Sequence, residues 1–314
     1  MLYITETDVA DLYSMKDAIQ SLKNIFTLQA EGKVRILPRS RIQTDKGTLN
    51  VMASTSDELG YSCVKTYYGS RSGARFIVVL FSTRDGNAVA TIEASRLGQI
   101  RTGAATAVAT DLLSKPGSEI LGCVGTGYQA TSQVEGVCAV RKIREVYVRG
   151  RNPQKAHEFA EYISTHYGVT AHAASDNSLF EGADIIICAT TSKSPVIEDR
   201  YIGNECHINA IGANRFNATE LQKETVCSAS TVVVDSVEQA KIESGDIAQA
   251  INDGCLTESE INELWMGFSG GFKNRNKAPT RRTIFKSLGV AQEDLAAAAY
   301  VYEKANRLGY GRML

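Results

Sequence analysis

Apolar and polar positions follow one pattern in the first third of the chain and another in the remainder. A short apolar run over 2–4 predicts a strand, and apolar residues at helical spacing predict helices that begin near Thr7 and span about 15–30. Four β-rich segments follow, separated by turn residues: 47–52, 61–68, 75–81 and 88–92. This order predicts an antiparallel meander, which is typical of a domain that holds a substrate or forms a dimer interface.

Strand and helix patterns alternate from residue 119 onward. An Ala-rich helical stretch over 93–113 and the hinge Lys115-Pro116-Gly117 precede this part of the chain. The predicted strands are 119–124, 145–149, 169–172, 183–189, 205–211 and 231–234, with the clearest helix at 153–167. Such alternation predicts an α/β fold with a parallel, doubly wound sheet. The stretch 292–308 predicts a final helix that returns to the first domain.

The loop Gly125-Thr126-Gly127-Tyr128-Gln129-Ala130 joins the first of these strands to a helix-compatible segment. Gly125 permits a sharp turn, Gly127 lets a pyrophosphate approach the backbone, and Ala130 is small enough for the helix to pack on its strand. The free N–H groups at the start of the helix point at the anion. The same turn occurs in α/β proteins that bind no nucleotide, but the flanking strand and helix favour a dinucleotide site.

The second strand of this predicted fold ends in Val148-Arg149-Gly150-Arg151-Asn152, which contains no acidic residue. An acid at this position accepts hydrogen bonds from the ribose hydroxyls, whereas a basic residue accommodates a 2′-phosphate. Arg149 and Arg151 therefore favour NADP(H) as the cofactor. NAD(H) stays possible, because arginine also stacks on adenine without discriminating the phosphate. Two solvated arginines on a surface turn are the alternative interpretation.

Composition and charge exclude several other classes of protein. The 314 residues are 43% hydrophobic and 22% charged, which is typical of a soluble globular protein with room for two domains. The formal net charge is −1 and no basic run is interleaved with aromatic residues, so nucleic-acid binding is not expected. We also expect no membrane span and no signal peptide.

Cysteines and histidines indicate a reducing compartment and no metal site. The seven cysteines are scattered, odd in number and mostly embedded in apolar segments. We expect buried thiols in the cytoplasm rather than a disulfide framework. The four histidines form no metal-ligand pattern with each other or with cysteines, so metal catalysis is not expected.

Three cations in the N-terminal part are candidates for binding an anionic substrate. Lys65 interrupts an apolar and aromatic strand, Arg101 interrupts the Ala-rich helical stretch, and Arg39 follows a proline. A guanidinium is a bidentate partner for a carboxylate, and an ammonium beside it can bind the carboxylate and supply a proton. Each cation taken alone also fits an ordinary surface charge.

Motifs along nearly the whole chain resemble the ornithine cyclodeaminase/mu-crystallin family. They occur in the family order, and together they are specific although each alone is not. The matching segments are Pro38-Arg39-Ser40-Arg41, Val51-Met52-Ala53, Val64-Lys65, Glu93-Ala94-Ser95, Arg101-Thr102-Gly103-Ala104, 122–130, 189–192, 208–212, 238–246, 283–289 and Glu293-Asp294.

The resemblance implies a particular domain arrangement and chemistry. An α+β substrate-binding and dimerisation domain would comprise 1–115 plus 290–314, and an NAD(P)-binding Rossmann domain would be inserted as 116–289. It also implies a homodimer. The family chemistry is hydride transfer between NAD(P) and the α-carbon of a small α-amino or α-imino acid.

The resemblance also implies roles for individual residues. Arg39, Lys65 and Arg101 would hold the α-carboxylate of the substrate, and Lys65 would be the catalytic proton donor to the imine. Thr102 and the 125–130 loop would hold the pyrophosphate. The remaining positions carried over from the family are Thr190 and Ser287 for the cofactor and Asn214 for the substrate.

Two positions differ from the cyclodeaminase members of the family. Cyclodeaminases carry an acid just before the Met-Pro-Ala-like stretch and an aspartate after the Asn-Ala-x-Gly motif, where this chain has Asn50 and Asn214. Both acids serve a substrate with a second, cationic amine. An asparagine can hydrogen-bond that amine but cannot neutralise it or act as a base. The residues therefore favour a monoamino substrate or a preformed cyclic imine.

Together, the residues and the resemblance predict an NAD(P)H-dependent oxidoreductase acting on the C–N bond of α-imino or α-amino acids. The favoured activity is reduction of a cyclic ketimine of the Δ1-pyrroline-2-carboxylate type. Three alternatives stay open: an alanine dehydrogenase-type enzyme, an ornithine cyclodeaminase that forms proline and ammonia, and a low-turnover NADP-dependent binding protein.

Overall fold

The computed structural model describes residues 1–70, 73–276 and 278–314, which form fifteen β-strands and nine α-helices. The strands are β1 (Leu2–Ile4), β2 (Arg35–Thr44), β3 (Gly47–Ser56), β4 (Tyr61–Ser70), β5 (Gly73–Ser82), β6 (Ala88–Glu93), β7 (Ile120–Val124), β8 (Glu145–Arg149), β9 (Thr170–Ala173), β10 (Ile185–Cys188), β11 (His207–Ala210), β12 (Thr231–Val234), β13 (Ile261–Glu263), β14 (Thr283–Lys286) and β15 (Arg312–Met313). The helices are α1 (Glu6–Leu12), α2 (Met15–Ala30), α3 (Ser95–Leu113), α4 (Tyr128–Val140), α5 (Pro153–Tyr167), α6 (Lys223–Ser228), α7 (Val237–Glu243), α8 (Gly245–Asn252) and α9 (Ala291–Leu308).

Two compact units divide the chain. Unit 1 contains Met1–Ala105 and Gly289–Leu314, and unit 2 contains Thr106–Leu288. Both ends of the chain therefore belong to unit 1, and unit 2 is an insertion in its sequence. The first boundary falls within α3, so one continuous helix supplies residues to both units.

Unit 1 is built on a seven-stranded mixed sheet in the order β15-β1-β6-β5-β4-β3-β2. Neighbouring strands from β2 to β6 are antiparallel, and β1 pairs with β6 in parallel. Period-two alternation buries one face: Asn50, Met52 and Ser54 of β3 are buried, while the residues between them are partly exposed. The C-terminal helix α9 packs on α2 and on the strands β2–β5, and it covers the buried face.

The meander contains five antiparallel strands rather than the predicted four, because the stretch before residue 47 also pairs as β2. Pro38 lies in this strand and has no N–H to donate to a neighbour. The sheet tolerates it because β2 is an edge strand whose pairing with β3 shifts between Leu37 and Ser40.

Unit 2 is built on an eight-stranded sheet in the order β13-β12-β14-β11-β10-β7-β8-β9, with parallel neighbours. Apolar cores cover both of its faces. In β10, for example, Ile185 and Ile187 belong to one core, and Ile186 and Cys188 belong to the other. The strands therefore appear in the sequence as near-continuous apolar runs. The predicted α/β fold with a doubly wound parallel sheet is confirmed.

Cys227 and Cys255 form a disulfide with their Cα atoms 5.4 Å apart, so the expectation of free thiols is wrong for this pair. The bond joins α6 to the loop after α8. Arg275 donates to the main-chain carbonyl oxygens of both cysteines and supports the same corner of unit 2. The other five cysteines are free and at least partly buried. The cytoplasmic location inferred from the cysteines stays a prediction.

None of the helices in the described ranges is both long enough and apolar enough to cross a lipid bilayer. Within the same ranges, His, Cys, Asp and Glu side chains form no group of three or more that is arranged to hold a metal ion.

Candidate functional site

Four charged side chains are buried together in unit 1, and we call them the ion cluster: Lys65, Arg101, Glu293 and Asp294. Lys65 lies in the middle of β4 and Arg101 lies in α3, and they are only 3% and 6% exposed. Glu293 and Asp294 lie in the first turn of α9 and are fully buried. Two predicted substrate-binding cations therefore meet two acids to which the sequence assigned no role.

Asp294 joins the two cations of the ion cluster. Its Oδ1 atom accepts hydrogen bonds from Lys65 Nζ at 2.8 Å and from Arg101 Nε at 3.0 Å. Glu293 Oε2 accepts from Arg101 Nη1 at 2.6 Å, so the guanidinium is held on two sides. The N-terminus of α9 also stabilises these carboxylates, because it carries a partial positive charge. Removing either acid would leave a buried cation less compensated, so both acids fix the cations in place.

Gly289 brings Arg39 to the ion cluster. Arg39 Nη2 donates to the Gly289 carbonyl oxygen at 2.7 Å. Gly289 has a φ of +77°, and a Cβ added there would lie 3.0 Å from Arg101 Nη1. Only glycine combines this backbone conformation with so close an approach. The three predicted substrate-binding cations, Arg39, Lys65 and Arg101, are thus assembled in one place.

The charges and the burial of this site favour the binding of an anion and the transfer of a proton. Arg39 adds a third cation beside Lys65 and Arg101, which the two carboxylates hold. Burial lowers the pKa of Lys65 to about 8, although Asp294 acts in the opposite direction. Burial would raise the pKa of Asp294, but Arg101 and Lys65 hold it below its ordinary value. The Lys65 ammonium can therefore release a proton near neutral pH.

Asn50, which replaces an acid of the cyclodeaminases, is buried on the same face of the unit 1 sheet as Lys65. Its Oδ1 atom accepts from Arg41 Nε at 3.2 Å, and its amide nitrogen donates to the Thr48 carbonyl oxygen at 3.0 Å. Both ends of the amide are therefore engaged within the sheet, and a cation, Arg41, lies next to it.

A cleft of about 700 Å³ opens in unit 2 at the carboxyl ends of β7, β8 and β10. The predicted dinucleotide loop lines it through Gly125, Thr126 and Gly127. Gly125 has a φ of +119°, and a Cβ there would overlap the carbonyl oxygen of Ala189. Gly127 is the N-cap of α4, and open space surrounds the place where its Cβ would be. The loop therefore has the shape that a pyrophosphate needs at a helix N-terminus.

The other residues of this loop have different surroundings. Thr126 is half-buried against Gly150, where an added Cβ would lie 3.0 Å from the Thr126 methyl group. Ala130 is fully buried in the core between α4 and the sheet. Tyr128 is 58% exposed, and Gln129 is half-buried. Gly125, Thr126 and Gly127 line the cleft, whereas Ala130 packs the helix against its strand, as predicted.

The two arginines at the end of β8 differ in their contacts. Arg149 Nη1 donates to Asn177 Oδ1 at 2.6 Å and to the Val196 carbonyl oxygen at 3.1 Å. Arg151 is exposed and lines the cleft, as does Lys155 in the first turn of α5. Lys155 was not among the predicted cofactor-binding residues, although its position three residues after the N-cap residue of a predicted helix was a usable signal. Arg151 and Lys155 are the cations best placed for a phosphate.

Thr190 also lines the cleft, at the end of β10. Its hydroxyl donates to Glu220 Oε1 at 2.8 Å and accepts from the Ser192 amide at 3.2 Å. Asn214 lies half-buried in the loop after β11. Glu220, like Glu293 and Asp294, had no role in the sequence-based prediction, and its partner Thr190 lies 30 residues earlier in the chain.

The last two predicted cofactor contacts make internal hydrogen bonds. Ser287 is buried in unit 2, after β14, and its hydroxyl donates to Asp235 Oδ2 at 3.3 Å. Thr102 belongs to unit 1, where its hydroxyl donates to the Gly98 carbonyl oxygen at 2.6 Å, one turn earlier in α3. Their contact with a cofactor stays a prediction.

Comparison with known proteins gives concordant matches. A model of the ornithine cyclodeaminase/mu-crystallin family matches residues 2–308. A Δ1-pyrroline-2-carboxylate reductase of Bacillus cereus is 36% identical over 239 residues, which cover 76% of this chain and 73% of that protein.

Solved structures with the same fold cover the whole chain. Thermococcus litoralis Δ1-pyrroline-2-carboxylate reductase in complex with NADH and L-proline is 33% identical, with a TM-score of 0.94 and 100% of both chains covered. An archaeal alanine dehydrogenase dimer with bound NAD is 28% identical, with a TM-score of 0.93, and the match covers 100% of this chain and 98% of that chain.

The ion cluster predicts the effect of Asp294→Asn on the titration of Lys65. The substitution keeps the shape of the side chain but removes the charge that favours the ammonium form. We expect the pKa of Lys65 to fall from about 8 by about one unit or more, because burial and Arg101 then act with less opposition. Carbon-13 NMR of labelled lysines measures this shift, with Lys65→Arg identifying the resonance.

The matched control for this titration is Glu205→Gln, which removes an exposed acid that pairs with Lys115 in unit 2. It should leave the Lys65 titration unchanged. A pKa that stays the same or rises in Asp294→Asn would contradict the assigned electrostatics.

Proposed function

The chain belongs to the ornithine cyclodeaminase/mu-crystallin family, and from this premise we propose that it is an NAD(P)H-dependent reductase of α-imino acids. Cyclic ketimines of the Δ1-pyrroline-2-carboxylate type are the favoured substrates. The observation that carries the proposal is the assembly of Arg39, Lys65 and Arg101 around buried carboxylates in unit 1. The reductase of Bacillus cereus and the proline complex from Thermococcus litoralis support the same substrate class.

Unit 1 would bind the substrate through its α-carboxylate. Arg101 is held by Asp294 and Glu293 and cannot swing away, and Arg39 is tied to Gly289. Guanidinium groups fixed in this way select a planar carboxylate and set its orientation with little loss of side-chain entropy on binding. We therefore assign unit 1 as the substrate-binding domain.

Unit 2 would hold the dinucleotide in its cleft. The fit rests on the turn at Gly125, the open approach at Gly127 and the N-terminus of α4. The nicotinamide, when bound, supplies the hydride for the reaction. The two similar solved structures contain NADH and NAD, which supports a nicotinamide cofactor.

Reduction of an imine requires a hydride at carbon and a proton at nitrogen. Lys65 is the group we assign to the proton, because its ammonium is buried beside two guanidinium groups and deprotonates near pH 8. The C=N bond then becomes a C–N single bond, and the neutral Lys65 amine regains its proton from solvent. Asp294 keeps the ammonium oriented throughout the cycle.

A substrate without a second amine fits this site best. Asn50 is engaged by Arg41 and by the Thr48 carbonyl, so it adds no negative charge, and Arg41 adds a positive one. In unit 2, Asn214 stands where cyclodeaminases carry an aspartate, and it too is uncharged. The second ammonium of ornithine would meet cations in this part of unit 1, whereas a cyclic ketimine carries no such group.

We propose NADPH as the preferred reductant. The turn after β8 contains no acid, and Arg151 and Lys155 line the cleft with their charges exposed. A 2′-phosphate on the adenosine ribose would gain charge-assisted hydrogen bonds from these cations. Arg149 is engaged by Asn177 and Val196, so we assign it to holding the turn rather than to the phosphate.

We propose a homodimer formed by the outer face of the unit 1 sheet. Strand register places Leu37, Ala53, Val64 and Val79 in one row across β2–β5, on the face opposite the buried Lys65. Leu37 is 55% exposed. An apolar row of this kind on an uncovered sheet face is typical of an interface, and the similar alanine dehydrogenase is a dimer.

The substrate proposal predicts NADPH oxidation with Δ1-pyrroline-2-carboxylate in the absence of ammonia. We expect Lys65→Met to lower kcat/KM about 10²- to 10⁴-fold, because it keeps the apolar stem but removes the proton donor. In the wild type, the rate should fall as pH rises through about 8, since Lys65 loses its proton there. Lys142→Met, at an exposed surface cation, is the matched control.

Two other outcomes would separate the alternatives. Turnover of pyruvate only with ammonia would make the protein an alanine dehydrogenase-type enzyme. An unchanged rate in Lys65→Met would contradict the assignment of Lys65 as the proton donor.

The cofactor proposal predicts that Arg151→Ala raises the KM for NADPH about ten-fold or more, because a charge-assisted hydrogen bond to the phosphate is lost. The KM for NADH should change little. Steady-state kinetics with both reductants measures the ratio, and Lys142→Ala serves as the control. Equal effects on both cofactors would contradict a phosphate contact.

The dimer proposal predicts that Val64→Lys combined with Val79→Lys yields monomers. Two charges in the middle of the apolar row cannot be buried against a second copy without a large desolvation penalty. Sedimentation velocity distinguishes the two states, and Gln154→Lys on the exposed face of α5 is the control. A dimer that survives the double substitution would place the interface elsewhere.

A further inference from the structure

A buried glutamate in unit 2 links the loop after β10, which lines the cleft, to the loop after β11. Glu220 is fully buried, and its Oε1 atom accepts from the Thr190 amide and hydroxyl, each at 2.8 Å. Its Oε2 atom accepts from the amides of Gly212 at 2.6 Å and Ala213 at 2.9 Å. Four donors from the loops after β10 and β11 therefore converge on one carboxylate, and we call this arrangement the Glu220 fork.

Two further buried residues, Asp246 and Lys286, stabilise the Glu220 fork. Asp246 Oδ1 accepts from the main-chain amides of Glu220 at 2.9 Å and Leu221 at 3.0 Å. Lys286 Nζ lies 3.0 Å from Asp246 Oδ2 and 3.9 Å from Glu220 Oε2, and its side chain is fully buried. Burial raises the pKa of Glu220, while Lys286 and the amide donors oppose this shift. The acceptor-only role of the carboxylate fits its ionised form.

The loops joined by the fork are packed against each other and against the dinucleotide loop. A Cβ at Gly212 would overlap the Thr190 main chain, and a Cβ at Gly125 would overlap the Ala189 carbonyl oxygen. The loops after β7, β10 and β11 thus form one continuous rim.

Strand order assigns the two halves of a dinucleotide to different sides of this rim. β8 lies on one side of β7, and its end carries Arg151, which suits the adenosine half. β10 and β11 lie on the other side of β7. The loops that follow them are therefore on the side of the nicotinamide riboside half. Three main-chain N–H groups of these loops are engaged by Glu220, which makes the loops poor sites for a phosphate and better suited to an uncharged ligand.

We propose that Glu220 is a positioning residue that preorganises the loops after β10 and β11 for the nicotinamide half of the cofactor. This rests on the proposed function, because it takes unit 2 to bind a nicotinamide dinucleotide. Glu220 would not touch the ligand. It acts through Thr190, Gly212 and Ala213, whose positions it fixes before the cofactor arrives.

Glu220→Gln tests this role. A glutamine retains one acceptor oxygen, but its amide NH₂ must face the donors of one loop. That loop therefore loses its hydrogen bonds to residue 220. Folding should survive, because Lys286 keeps its nearer partner, Asp246. Calorimetry would compare the Kd of NADPH with the Kd of 2′-phospho-ADP-ribose, which lacks nicotinamide. We expect NADPH to bind about ten-fold or more weakly and the analogue to be nearly unaffected.

The control for this comparison is Glu243→Gln, a buried acid of α7 that accepts a hydrogen bond from Gln239 and does not line the cleft. If Glu220 had a purely structural role, Glu220→Gln would weaken the binding of both ligands equally. That result, or no loss of affinity for NADPH, would overturn the inference. If the wild type bound neither ligand, the proposed function would fail and the inference with it.

Hydrogen exchange on the unliganded wild type provides a second test that does not depend on a variant. The amides of Thr190, Gly212 and Ala213 should exchange slowly, because Glu220 accepts them before any cofactor binds. Rapid exchange at these three amides, comparable to that of the exposed residues 215–217, would overturn the inference.

Discussion

The carboxylate of Asp294 is the constraint on which the rest of unit 1 depends. Two cations cannot be buried side by side without a negative charge between them, since desolvation and mutual repulsion would both oppose it. Asp294 supplies that charge to Lys65 and Arg101 through a single oxygen atom. The acid comes from the C-terminal helix and the cations come from the N-terminal half, so the candidate site requires both ends of the chain. The position of α9 is therefore as much a functional requirement as a structural one.

Buried acids serve the same purpose in both units. In unit 1, Asp294 and Glu293 hold cations that would bind and protonate a substrate, and in unit 2, Glu220 holds backbone donors of two loops, one of which lines the cleft. In each case glycine allows the close approach: Gly289 beside Arg101, and Gly212 beside Thr190. Sites of this kind achieve orientation before the ligand binds, which is how an enzyme limits the entropy lost in the reacting complex.

Loops and strands that depend on the local sequence pattern were predicted, whereas contacts between residues far apart in the chain were not. The 125–130 loop and the strands beside it follow from apolar runs and turn residues, and the structure places them as expected. β14 lies between β11 and β12, although it follows both in the chain, and no periodicity indicates such an order. Lys65 and Asp294 are 229 residues apart, and Cys227 and Cys255 are 28 apart, so neither pairing leaves a local signal. The stretch that forms β2 was not among the predicted strands, and its Pro38 is tolerated only because β2 lies at the edge of the sheet.

We propose that the cations beside Asp294 bind the carboxylate of an α-imino acid and that Lys65 protonates its nitrogen. A crystal structure of the protein with NADP⁺ and L-proline, the product of the proposed reaction, tests it most directly. We expect the proline carboxylate within hydrogen-bonding distance of Arg39 and Arg101, and the ring nitrogen within the same reach of Lys65 Nζ. A carboxylate bound away from these guanidinium groups, with the Lys65–Asp294 pair intact and unused, would contradict the claim.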